Sequence, residues 1–248
     1  MKRSLSCLAS AALLVLLVAV AQAQTIDGGA YVAPLTDNVQ PLIQGNLFSS
    51  AYLERLKRDG SNPARRANLL AKAEAGELVV EFDPIVSREV RKDYIAAIER
   101  SSGAKAARGL DQYYENHDVH VLLRKAVAPY GLRGDDLGDV ATAWLVVMWM
   151  TANDAPLPTT AVVKGVRDQT RYALLARGNL PESAAERQRT LEALAYQTVT
   201  LIRVRESAQA SGNQAFLVQL ADSAQASMRA QQLDLRAMAL TEDGLVRR

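Results

Sequence analysis

The stretch Ala141-Thr142-Ala143-Trp144-Leu145-Val146-Val147-Met148-Trp149-Met150 carries no charge and holds both tryptophans of the chain. Five residues apart on a helix of 3.6 residues per turn, the two indoles point about 140° from each other, so apolar surface is wanted on more than one side. A central, buried helix is predicted here, opened by Asp135 or Asp136 as N-cap. The uncharged run is well short of the roughly 20 residues of a membrane span, and Asp139 and Asp154 bracket it.

Outward from this helix the pattern stays helical. Upstream, Val119, Leu122, Leu123, Ala126, Val127 and Tyr130 draw one apolar stripe, with Asn116 or Asp118 available as cap and Gly131 as stop. Before it, Asp83 and Pro84 pair an N-cap with a proline at the first helical position, followed by Val86, Val90, Tyr94, Ala97 and Ile98 at helical spacing. Gly103 separates off a short helix ending near Tyr114. Downstream of Pro156 and Pro158, Thr159 or Thr160 opens a helix to Arg177. A longer one, opened by Pro181 and Glu182, places Leu191, Leu194, Ala195, Thr198, Leu201, Ile202 and Arg205 on one face up to Gly212. A last helix uses Phe216, Leu217, Leu220, Ala221, Ala224 and Met228. Short connections make sequential helices antiparallel neighbours. The expected fold is all-α, an orthogonal or up-and-down bundle of about six to eight helices over residues 83–248.

Residues 24–82 read as an N-terminal arm with short helices, one ending near Arg58 and one opened by Asn62 and Pro63 and closed by Gly76. Within the arm, Glu77 to Phe82 carries the β-favouring run Leu78, Val79, Val80, with no strand partner evident in the sequence.

The first twenty-three residues have the form of a secretory signal peptide: Lys2 and Arg3, an apolar run from Leu8 to Val20, and the small-residue exit Ala21, Gln22, Ala23. The whole chain has 29 Lys and Arg against 27 Asp and Glu. Removal of Lys2 and Arg3 with the signal leaves 27 of each, so the mature chain is formally neutral. No global field then draws it to nucleic acid. The single cysteine, Cys7, precedes the apolar run and leaves with the signal, which excludes disulfides, thiolate metal sites and cysteine nucleophiles. Gln24, not cysteine, follows the exit, so no lipoprotein anchor is expected. An exported domain without disulfides fits the bacterial periplasm better than a disulfide-stapled secreted domain.

Four constellations bear on chemistry. The only two histidines, His117 and His120, lie near Glu115, Asp118 and Asp111. At i, i+3 on a helix they could share a face as metal ligands or supply a general base, whereas Asp118 as a helix cap would put His117 outside the helix. Asp135, Asp136 and Asp139 cluster at a helix start. Asp136 and Asp139 would suit acid and base work if burial separated their pKa values, and would equally serve as capping carboxylates favoured by the macrodipole. Lys164, Arg167 and Arg171 form a basic stripe that could meet an anionic glycan or partner protein, or simply face water around Asp168. Tyr94, Tyr113, Tyr114 and Tyr130 would line a ligand pocket or fill the core. Ser102 with Lys105, and Ser211-Gly212-Asn213, echo two elements of the penicillin-recognising enzymes, but the third, Lys-Thr-Gly, is absent.

The stretch from Phe82, Asp83, Pro84 through Ala128, Pro129, Tyr130, Gly131, Leu132, Arg133, then Asp136, Leu137, Asp139, Val140, Ala141, Trp144 and Ala152, Asn153 resembles a bacterial family of exported proteins known only as a domain of unknown function. The resemblance covers roughly residues 80–245, including Leu240, Thr241, Asp243, Gly244 and Leu245. It implies an exported helical domain and assigns no catalytic or binding residue. The sequence thus leads to a non-enzymatic binding or interaction protein of the bacterial cell envelope, facing an envelope protein or glycan and needing no cofactor. The alternatives are a hydrolase or metal-dependent enzyme built on His117 and His120 with nearby carboxylates, and a carrier of a small apolar ligand.

Overall fold

The structure is a computed structural model that describes residues 62–248 apart from 178, 179 and 182. The expected signal peptide, the first part of the arm and the expected helix ending near Arg58 lie outside the described residues. Eight α-helices follow: α1 (Pro63–Glu74), α2 (Pro84–Ser102), α3 (Ala104–Asn116), α4 (Val119–Val127), α5 (Leu137–Ala152), α6 (Thr160–Arg177), α7 (Ala184–Ala210) and α8 (Gln214–Ala230). A hairpin of β1 (Met238–Thr241) and β2 (Gly244–Arg247) closes the chain, antiparallel, with Leu240 opposite Leu245.

Local chemistry sets most boundaries. The Asn62, Asp83, Asp118 and Asp136 side chains each accept a backbone N–H of the first turn that has no intrahelical partner. Prolines stand at the start of α1 and α2. The cap of α7 is Ser183, in a reciprocal capping box with Glu186, so this helix opens after Pro181 and Glu182 rather than at them.

Helix α5 is the centre of the bundle and packs on α6, α7 and α8. From Leu137 to Val146 every residue is buried. Trp144 is 2% exposed, but Trp149 is only half-buried, its indole N–H donating to the Met238 carbonyl of β1 at 2.9 Å. The second indole therefore fastens the hairpin instead of filling the core.

Helix α7 departs further from its sequence pattern. Thr190 to Leu201 are buried around the whole circumference, because α2, α4, α5 and α8 all pack on it. Five polar side chains there, Thr190, Glu192, Gln197, Thr198 and Thr200, are buried with it.

The arm's described part belongs to the same core. Ala73, Leu78 and Val80 are buried in it, and α1 packs on α6. The extended segment does have a partner, the approach to α5: the Val80 N–H donates to the Asp135 carbonyl at 2.9 Å and the Leu137 N–H to the Leu78 carbonyl at 2.9 Å. The hairpin lies on α6, where the Gln169 amide accepts from the Leu245 N–H at 2.7 Å and donates to its carbonyl at 3.1 Å. Gly165 is required there, since a Cβ would come within 2.0 Å of the Glu242 carbonyl oxygen. Among the described residues, no helix is long and apolar enough to cross a membrane.

Candidate functional site

Two of the constellations meet each other. Asp136 and Asp139 at the head of α5 face Arg167 and Arg171, which lie one helical turn apart on α6. Asp136 caps α5 by accepting the Asp139 N–H at 2.9 Å and takes the Arg171 guanidinium on its other oxygen at 3.0 Å. Asp139 accepts the Arg133 N–H at 2.8 Å on one oxygen and Arg167 Nε at 2.7 Å on the other, with Arg171 Nε 2.9 Å from the same atom. Glu74 of α1 completes the cluster, 2.6 Å from Arg171 and 3.3 Å from Arg167. All four oxygens of the two aspartates are engaged, and the carboxylates are 1% and 0% exposed.

The approach is tight enough to dictate a residue type. A Cβ on Gly138 would stand 2.6 Å from Arg171 Cγ and 2.9 Å from Leu78 Cδ1, so glycine lets α6 and the extended segment close over the head of α5. Burial, then the neighbouring Asp139 charge, raises the Asp136 pKa above the ordinary aspartate value despite the pull of Arg171. Burial opposes the Arg167 charge as well, yet the hydrogen bond and charge of Asp139 raise its pKa on balance. Asp135 lies outside the cluster, where a hydrogen bond from Arg133 lowers its pKa even against partial burial. The basic stripe is divided: Lys164 is 70% exposed and pairs with Asp168 at 3.3 Å, whereas Arg171 is 2% exposed.

The histidines are used separately. Asp118 caps α4, which puts His117 in the link after α3, its ring stacked on Tyr113 at 4.4 Å. His120 packs on Phe82 at 4.2 Å and brings Nε2 within 3.4 Å of Glu192 Oε1. Glu115 faces Arg91 at 3.7 Å instead of either imidazole. Among the described residues, no group of three His, Cys, Asp or Glu is placed to hold a metal ion.

Glu192 is the polar residue that sequence reasoning missed. It is fully buried, and one oxygen accepts from Ser87 at 2.5 Å and from Gln188 at 2.9 Å. The other oxygen finds no partner among the described residues, nor does His120 Nδ1. Gln188 also exchanges hydrogen bonds with the Asp83 backbone, at 2.9 and 2.8 Å, tying the start of α2 to α7. A signal existed: Glu192 is the one charge between Thr190 and Ile202.

The tyrosines divide between core and edge. Tyr94 and Tyr114 are buried and direct their hydroxyls to Thr200 Oγ1 at 2.8 and 2.7 Å, beside Tyr196. Burial, then the neighbouring Tyr94, pushes the Tyr114 pKa well up; burial and Glu192 raise that of Tyr196. Tyr113 and Tyr130 are half-buried. Ser102 ends α2 and Lys105 lies in the first turn of α3, across Gly103.

Fold and polar clusters together define a helical bundle whose first extended segment and last hairpin are bound to its central helices. The chain belongs to a family of unknown function, DUF6683, which it matches over residues 2–248. No curated protein and no solved structure matches it.

Proposed function

We propose that the protein is exported to the bacterial cell envelope through a signal peptide cleaved after Ala23, and that it acts there by binding an envelope protein, glycan or small ligand rather than by catalysis. One observation carries the second half of this reading. The two carboxylates best suited to acid–base work, Asp136 and Asp139, have every oxygen occupied by a guanidinium or a backbone N–H and are closed off from solvent. A general base must reach the proton it abstracts, and these do not reach solvent. The histidines support the same reading, since His117 rests on Tyr113 while His120 faces Glu192.

The hydrolase alternative keeps one foothold, the His120–Glu192 contact at 3.4 Å. The test is therefore direct. The exported protein is expected to begin at Gln24, to lack stoichiometric zinc, and to keep its cellular phenotype when His117→Ala and His120→Ala are combined. Zinc that is lost in the double variant, together with loss of the phenotype in a folded protein, would replace the binding reading by the metal-enzyme one. An intact Met1 start in the membrane fraction would overturn export.

A further inference from the structure

At the end of α5 remote from the ionic cluster, a cleft of about 390 Å³ opens between Asn153 and Asp154, the first turns of α8, and the residues flanking the hairpin. Its volume falls in the range of small-ligand sites. Leu217, Val218 and Ala221 give it an apolar wall, and Val218 is 52% exposed, one of few large apolar side chains left on the surface of the described residues.

Two guanidiniums share the lining. Arg236 is held by the Ala152 carbonyl at 2.9 Å and by Asp222 at 2.7 Å, and Arg248 by the Asn153 side chain at 3.2 Å. Each retains N–H groups without a partner among the described residues, and Arg248 has no acidic side chain paired with it there. The lining carboxylate, Asp154, lies 3.6 Å from Arg205, on the side of α7. Asp154 adopts φ of 44°, a left-handed conformation that aspartate takes more readily than most residues with a Cβ. Hydrogen bonds from the Asp154 N–H to the Thr151 carbonyl at 3.3 Å and from the Ala155 N–H to the Met150 carbonyl at 2.9 Å hold it. These two bonds are the Schellman cap with which a helix commonly closes on a left-handed residue, so they fix the end of α5 that forms this side of the cleft.

A planar guanidinium matches a carboxylate, and an apolar wall beside it matches an alkyl chain. We propose that this cleft binds a small amphipathic carboxylate, with its head group at Arg236 and Arg248 and its chain along Leu217, Val218 and Ala221. This rests on the reading of the protein as a binding protein and names its ligand class.

The test is calorimetric titration of the purified protein with decanoate, and with decanol as the neutral analogue. Saturable binding of one decanoate per chain is expected, with decanol about tenfold weaker, the loss of one charge-assisted contact. Val218→Asp should weaken decanoate at least about tenfold by placing a like charge on the apolar wall. Arg248→Gln should weaken decanoate by a similar factor and leave decanol unchanged. Unchanged unfolding midpoints would show that both variants fold. No saturable decanoate binding, binding that survives both substitutions, or decanol bound as tightly as decanoate would each overturn the proposal. Zinc content and export do not depend on either residue, so failure of the cleft and failure of the binding reading remain distinguishable.

Discussion

At the head of α5, Asp136 and Asp139 meet two arginines; in the middle of α7, Glu192 meets a serine, a glutamine and a histidine. Both sites lie among helices, and in both the central carboxylates, Asp136 and Asp139 in one and Glu192 in the other, are buried. In the first, opposite formal charges offset part of the loss of hydration and fix three separate pieces of chain, α1, α5 and α6. In the second, neutral donors share one oxygen and leave the other without a partner. The contrast teaches that burial by itself does not define a carboxylate's role: an arginine pair makes it a fastening between elements, whereas uncharged donors satisfy only one of its oxygens.

The sharpest way to break the comparison is Arg171→Leu. It strands Asp136 without its guanidinium, and removing one partner of a buried pair costs about 3–5 kcal/mol. Urea unfolding should show the loss, and a change under about 1 kcal/mol would mean the cluster is only incidental to stability. At the other site, Glu192→Gln removes a charge but keeps an oxygen that can accept from Ser87 and Gln188. It should change stability by no more than about 1 kcal/mol; a loss as large as that of Arg171→Leu would place a fully ionic pair at His120.

Titration sharpens the same contrast. The folded pKa of Asp136 is raised, so its contribution is greatest below the unfolded value and is lost as pH rises through the folded one. The stability of the parent protein minus that of Asp136→Asn should therefore fall as pH rises from about 4 toward neutrality. A difference that rises with pH would show that Arg171 dominates burial. The smallest effect is expected outside the cluster, where Lys164→Ala removes an exposed pair and should cost less than about 0.5 kcal/mol.

Much of this bundle is legible in the residues. The uncharged run Ala141 to Met150 fixes α5 as central, Asn62 and Asp83 mark helix starts where the structure has them, and of the pairs Asn116 or Asp118 and Asp135 or Asp136 the structure takes the second member. What escapes is whatever depends on a distant partner. The stripe Lys164, Arg167, Arg171 reads as a solvated face because the carboxylates that bury two of its members lie about thirty residues upstream. Glu192 hides on a helix whose second side is apolar only in the sense that other helices cover it. The hairpin lacks a strand-like run at Met238–Thr241, and it docks because Gln169 on α6 bonds the Leu245 backbone and Gly165 leaves room for its turn. Trp149 is half-buried for the same reason, having that hairpin as its neighbour.

The ties made by the first described residues also govern the order in which the molecule can assemble. Glu74 reaches Arg171 across 97 positions and Asp83 reaches Gln188 across 105, so the earliest segments rest on helices that arrive late. Contacts of such long sequence separation carry a large loop-closure cost and form slowly. A chain delivered from its N-terminus, as the proposed export requires, would present α1 and the extended segment well before their supports. Until α6 and α7 follow, only the pairing of the extended segment with the approach to α5 would hold these pieces, and the same topology that staples the finished bundle would keep the emerging chain threadable.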